Sequence, residues 1–175
     1  MARGRRAIVE AAVLVFAALL LALTVRATVA QAFRIPSASM VPQLDVGDRV
    51  VVSRLAFRLH DPRRGDVVVF PCPPVSCGAS HEDYIKRVVG LPGEVVEGRA
   101  GSVWIDGHRL VEPYLPTGTS TSTFGPVHVP AGELWVMGDN RGGSADSRVF
   151  GPIARRSLVG RATARVWPPW RTAFL

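Results

Sequence analysis

The chain has 175 residues, 47% hydrophobic and 20% charged, with 17 glycines, 14 prolines and a formal net charge of +7. That length suits one compact domain with a short appendage and leaves room for a real core. The positive balance fits an anionic membrane surface; nucleic acid is not expected, because the arginines are scattered and no zinc-finger, helix-turn-helix or aromatic RNA-binding signature occurs.

At the N-terminus, Arg3, Arg5 and Arg6 precede an apolar stretch from Ala7 to Val25 broken only by Glu10. A helix of that length spans about 28 Å, close to the hydrocarbon thickness of a bilayer. The basic cluster is held on the cytoplasmic side by the positive-inside rule. The expected organisation is a cytoplasmic N-terminus (residues 1–6), a single transmembrane helix (7–26) and an extracytoplasmic domain (27–175) on the outer face of the plasma membrane. A cleaved leader is the competing reading, since Ala30-Gln31-Ala32 has the small-residue pattern of a cleavage site.

Beyond the anchor the runs are short, rich in Val and Ile, and punctuated by Gly and Pro, which predicts an all-β domain. Strands are predicted at Arg49 to Ser53, Asp66 to Phe70, Tyr84 to Val89, Glu94 to Glu97, Ser102 to Ile105, Leu134 to Met137 and Leu158 to Val166. Asp106-Gly107 predicts a two-residue hairpin turn into His108-Arg109-Leu110. Thr117 to Gly125, polar and small, is expected to be a surface excursion. Cys72 and Cys77 can form a disulfide in an exported compartment or remain two thiols, and without matching His or Cys they make no zinc site. Neither a metal nor a cofactor is expected.

Two features carry chemistry. Ser39 sits in Ile35-Pro36-Ser37-Ala38-Ser39-Met40-Val41-Pro42, where flanking prolines oppose a helix. A serine in a rigid turn can present its hydroxyl and its own N–H to one point, the parts of a nucleophile and an oxyanion site. Twenty of the 21 basic residues are arginine, and Lys86 is the only lysine. Arginine cannot deprotonate in a protein, whereas a buried lysine can be driven neutral and act as a base. The bland alternative is a biased genome that left one lysine by chance. His60, His81, His108 and His128 lie outside these stretches, and no Gly-x-Ser-x-Gly elbow occurs.

Taken with Tyr84-Ile85-Lys86-Arg87-Val88-Val89-Gly90-Leu91-Pro92-Gly93-Glu94 and Gly138-Asp139-Asn140-Arg141-Gly142-Gly143-Ser144-Ala145-Asp146-Ser147-Arg148, the Ser-x-Ser-Met stretch resembles the type I signal peptidases over nearly the whole chain. The resemblance implies a folded antiparallel sheet or barrel domain behind one N-terminal transmembrane helix. It implies a serine endopeptidase that removes signal peptides from exported preproteins after Ala-x-Ala-like sites, and a monomer in contact with membrane lipid. It further implies Ser39 as nucleophile, Lys86 as general base, Ser37 as donor to the oxyanion, Ser144 as the hydroxyl that orients the lysine, and Asp146 with Arg148 as a supporting ion pair. Substrate is expected to lie as an added strand near Phe33 and Tyr84, with Ile35, Met40, Leu44 and Ile85 as pocket walls. The sequence departs from the family at Gly142-Gly143, where Asp-Asn is usual, at Gln43, usually Thr, and at Glu94, where Asp is common. Related Ser-Lys proteases such as the self-cleaving SOS repressors, and a β-domain that has lost activity, are the rival readings. Ala30-Gln31-Ala32 also raises the expectation of self-cleavage.

Overall fold

The computed structural model describes residues 10, 12–19, 30–77 and 82–175. Within the expected span 7–26, residues 10 and 12–19 are helical, with Val13, Leu14, Val15, Phe16 and Leu19 exposed, and the rest of that span lies outside the described residues. Among the described residues no helix is long and apolar enough to cross a membrane.

From Ala30 onward the chain forms two antiparallel sheets. The larger contains β1 (Ala30–Arg34), β2 (Arg49–Ser53), β3 (Val67–Pro71), β4 (Asp83–Gly90), β9 (Glu133–Met137), β10 (Ile153–Ala154) and β11 (Gly160–Trp167), in the order β1-β2-β11-β3-β4-β9-β10, with β12 (Ala173–Phe174) paired to β11. The smaller has the order β7-β6-β5-β8, from β5 (Val95–Arg99), β6 (Ser102–Ile105), β7 (His108–Arg109) and β8 (Phe124–His128). Helices are confined to single turns, α1 (Ala56–Leu59), α2 (Pro74–Cys77) and α3 (Ser147–Phe150).

The continuous apolar run of β3 is explained by burial on both faces of a central strand. Successive side chains of a strand point to opposite sides. Val67 and Val69 therefore join one core cluster with Ile35, Met40, Leu44 and Ile85, while Val68 and Phe70 join another with Val88, Leu134 and Val136. Each such side chain contributes roughly 1.5–3 kcal/mol before entropy is counted. β4 is laid against β3 from Asp83 to Arg87 but against β9 only from Arg87 onward, so among the described residues one backbone edge of its first four residues has no strand beside it. β1 is likewise an end strand, paired only with β2.

The hairpin at Asp106-Gly107 forms as expected, with φ of 50° and 78° at its two central residues. The expectation for Thr117 to Gly125 holds for most of the segment, which is exposed, and fails at Thr121 and Phe124. Thr121 is buried and its N–H bonds the Gly101 carbonyl, and Phe124 opens β8 and stacks on Trp135 at 5.3 Å between ring centroids. Composition misleads here because the apolar anchor is a single aromatic among small residues. Gly98 in β5 makes room for it: a Cβ at that position would stand 2.4 Å from Phe124 Cδ1 and 2.4 Å from the Ser122 carbonyl oxygen. Gly98→Ala is expected to destabilise the protein by about 1–3 kcal/mol through overpacking, read as a lower urea midpoint at unchanged slope.

Cys72 is disulfide-bonded, and Cys77 is the only other cysteine in the chain.

Candidate active site

Ser37 is extended, and the chain then tightens into a 3-10 turn over Ala38–Met40. The turn drives Met40 fully into the core and leaves Ser39 at its upper boundary, 6% exposed. Two bonds from the Gly138–Arg141 segment pin the turn: the Asn140 N–H donates to the Ser39 carbonyl at 3.1 Å, and Asn140 Nδ2 donates to the Ala38 carbonyl at 3.1 Å.

Lys86 reaches the same point from β4. Its Nζ lies 2.9 Å from Ser39 Oγ and donates to the Ile85 carbonyl at 3.0 Å; the Tyr84 ring centroid is 4.7 Å away. The residue is 3% exposed, and burial lowers its pKa from 10.5 to about 8, against the opposing pull of the Asp146 and Asp139 carboxylates. Ser37 Oγ donates to Ser39 Oγ at 3.3 Å. A hydroxyl and a depressed lysine within hydrogen-bond reach meet the geometric requirement for a nucleophile and its base.

The supporting groups lie behind this pair. Asp146 is fully buried and accepts from Arg148 Nε and Nη2, each at 2.8 Å, and from the Gly138 N–H at 3.0 Å, while also capping α3 through the Arg148 N–H. Arg148 continues to the Arg141 carbonyl at 2.7 Å. Arg141 in turn is clamped by Glu112 and donates to Thr121 Oγ1. Next to β4, Arg87 forms a buried two-bond pair with Asp139 at 2.8 and 2.6 Å and lies over the Tyr114 ring. Sequence reasoning assigned no role to Arg87, Asp139, Asn140 or Arg141, although all four lie in the stretches that carry the resemblance. For Glu112 there was no signal, since its partner is 29 residues away. Glu94 occupies its divergent position with the chemistry of a shorter acid, pairing with Arg64 at 2.6 Å and accepting the Leu91 N–H.

Two of the expected site roles have no contact in this geometry that supports them. Ser144 makes no hydrogen bond to Lys86; its hydroxyl is buried without a partner, packed against Gly138 so closely that a Cβ there would stand 2.2 Å from it. The lysine instead spends its bonds on Ser39 and Ile85. Because Ser144 loses no folded-state bond on truncation, Ser144→Ala is expected to leave the melting temperature unchanged or raise it. Ile35, Met40 and Leu44 are interior residues of one core cluster, on which the half-buried Phe33 packs, and do not wall an open pocket. Of the six proposed substrate contacts, Tyr84 and Ile85 line the cleft of about 400 Å³ that opens over Ser37, Ser39, Lys86 and Gly143. Among the described residues no histidine borders it; His81 lies outside them.

Comparison with known proteins accounts for this arrangement. The family model described as "Signal peptidase, peptidase S26" matches residues 8–167. The chain belongs to that family. It is 41% identical to the probable signal peptidase I-2 of Synechocystis over 90% of this chain and 72% of the relative. With the signal peptidase I of Mycobacterium tuberculosis it shares 34% identity over 93% of this chain and 73% of the relative. A signal peptidase I crystal structure from Enterococcus faecalis superposes with a TM-score of 0.51 at 33% identity, covering 59% of this chain and 98% of that one. This signal peptidase is accordingly a hydrolase of the serine peptidase type that acts on the signal peptides of preproteins.

Proposed function

We propose that the chain is a single-pass membrane endopeptidase that cuts preproteins after Ala-x-Ala-like sites with a Ser39/Lys86 dyad. The observation that carries this reading is the 2.9 Å contact between Ser39 Oγ and a lysine whose burial lowers its pKa to about 8. Neutral Lys86 takes the Ser39 proton as Oγ attacks the scissile carbonyl carbon. The resulting oxyanion is met by the Ser39 N–H and the Ser37 hydroxyl. Collapse breaks the C–N bond, and the lysine gives its proton to the leaving amine. Water, deprotonated by Lys86, then hydrolyses the acyl ester and restores Ser39. Asp146 and Arg148 hold the site and transfer no proton.

Substrate recognition by strand addition is supported by the unpaired edge of Asp83–Lys86, residues that themselves line the cleft. An anchor over residues 7–26 is supported by the apolar run and by the exposed apolar side chains of helical residues 12–19. Trp167, Trp170 and Phe174 are exposed at the other end of the chain and suit a lipid interface. The domain faces outward and works as a monomer.

The test is cleavage of an Ala-x-Ala preprotein by the purified, folded chain, with Ser39→Ala as control. Cleavage by the parent alone is expected; an inert folded parent would leave a binding role. A second expectation is a pH profile in which kcat/KM rises about tenfold per unit below pH 8 and levels above it, because only unprotonated Lys86 accepts the serine proton.

A further inference from the structure

A cleft of about 850 Å³ that shares no lining residue with the one over Ser39 is lined by Arg54, Arg58, Arg155 and Arg156 over a floor that includes Phe57 and Leu158. All four arginines are exposed. Arg155 pairs with Asp61 at 2.5 Å, and among the described residues no carboxylate lies within 4 Å of Arg54, Arg58 or Arg156. The cleft thus concentrates positive charge that the protein itself does not neutralise. Its floor is apolar because Phe57 and Leu158 pack on the core cluster around Phe70. Leu59, beside Arg58 at the end of α1, is 82% exposed.

Its place in the fold says what comes near it. Arg54 directly follows Ser53, whose register partner in β1 is Ala30, and whose partner in β11 is Arg161. Arg155 and Arg156 lie in the 3-10 turn that leads into β11. The cleft therefore stands at the end of the sheet where the chain arrives from its N-terminal apolar segment.

We propose that this cleft binds the phosphate headgroup of an anionic phospholipid, with the arginine forks on the phosphate oxygens and the exposed Leu59 toward the acyl region. The proposal rests on the reading of the N-terminal segment as a membrane anchor. Guanidinium pairs match phosphate oxygens two at a time, and a neutral zwitterionic headgroup brings its own cation into the same space. Each arginine near an anionic surface strengthens association by about fivefold.

The experiment is native mass spectrometry of the full chain released from neutral-detergent micelles that contain equal amounts of phosphatidylglycerol and phosphatidylcholine. Retention of phosphatidylglycerol at least fivefold over phosphatidylcholine is expected, as is loss of that preference in the variant Arg54→Gln, Arg58→Gln, Arg155→Gln, Arg156→Gln. Preprotein cleavage in the same detergent should be unchanged in the variant, which also certifies its fold. Equal retention of the two lipids, or an undiminished preference in the variant, overturns the proposal. So does displacement of the lipid by inorganic phosphate at equal concentration, which would reassign the cleft to a free anion. Flotation of parent and variant with pure phosphatidylcholine vesicles tests the anchor separately, so failure of that reading shows in an assay that does not depend on the cleft.

Discussion

Lys86→Arg is expected to lower kcat/KM by roughly 10⁴-fold, the upper end of what general acid-base catalysis supplies. The substitution keeps the positive charge but replaces a group that can be neutral at working pH with one that cannot. Lys86→Met gives the companion result and guards against a merely unfolded protein. A lysine whose pKa falls from 10.5 to about 8 on folding binds fewer protons folded than unfolded between those values. Stability therefore rises with pH from about 8 to 10.5, and below 8 the folded state carries a buried ammonium at a cost of about 3 kcal/mol. Methionine removes that cost and forfeits the bonds to Ser39 and the Ile85 carbonyl, about 1 kcal/mol in all. The inactive Met variant should thus be about 1–2 kcal/mol more stable than the parent at pH 7, with the advantage vanishing by pH 10.5. Urea titrations at both pH values measure it. A less stable Met variant at pH 7 would contradict the burial account, and an active Lys86→Arg enzyme would place the base elsewhere.

The other large effect is expected at Asp146. Its carboxylate gathers the Arg148 guanidinium, the Gly138 N–H and the Arg148 N–H of α3 with no exposure to solvent. Asp146→Ala strands a mostly buried arginine and should cost about 3–5 kcal/mol, a large part of the 5–15 kcal/mol that holds a typical domain together. Asp146→Asn is milder and more informative about the chemistry. The Asp146 charge raises the Lys86 pKa, opposing burial. Removing that charge lets the lysine titrate lower still, so the acid limb of the kcat/KM profile should move below pH 8 in whatever fraction of the protein stays folded. Loss of stability with an unmoved profile would make Asp146 a purely structural residue.

Much of the sheet was legible because buried β-strands write themselves as Val-Val-Val-Phe runs and alternations. Arg49–Ser53 and Ser102–Ile105 have the bounds that their patterns predict, and the others shift by one or two residues. What escaped were elements without a pattern of their own. β8 carries Gly-Pro in its middle and is held by one aromatic stack, and β10 and β12 are two-residue pairings that exist only because a neighbour is there. The pairing of Ser39 with Lys86 was anticipated through the family resemblance, toward which a single lysine in an apolar strand was only a hint. The substrate walls were not legible, because apolar residues beside a nucleophile have the same composition whether they line a cleft or support it from below. Only the three-dimensional placement separates Ile85, which does both, from Met40 and Leu44, which do the second.

The isolation of Lys86 has a further use. Every other basic side chain is a guanidinium, so protein grown on ¹⁵Nζ-lysine carries its label at one atom, and that atom is 2.9 Å from Ser39 Oγ. One resonance, free of overlap by construction, would follow the charge state of Lys86 as substrate is added.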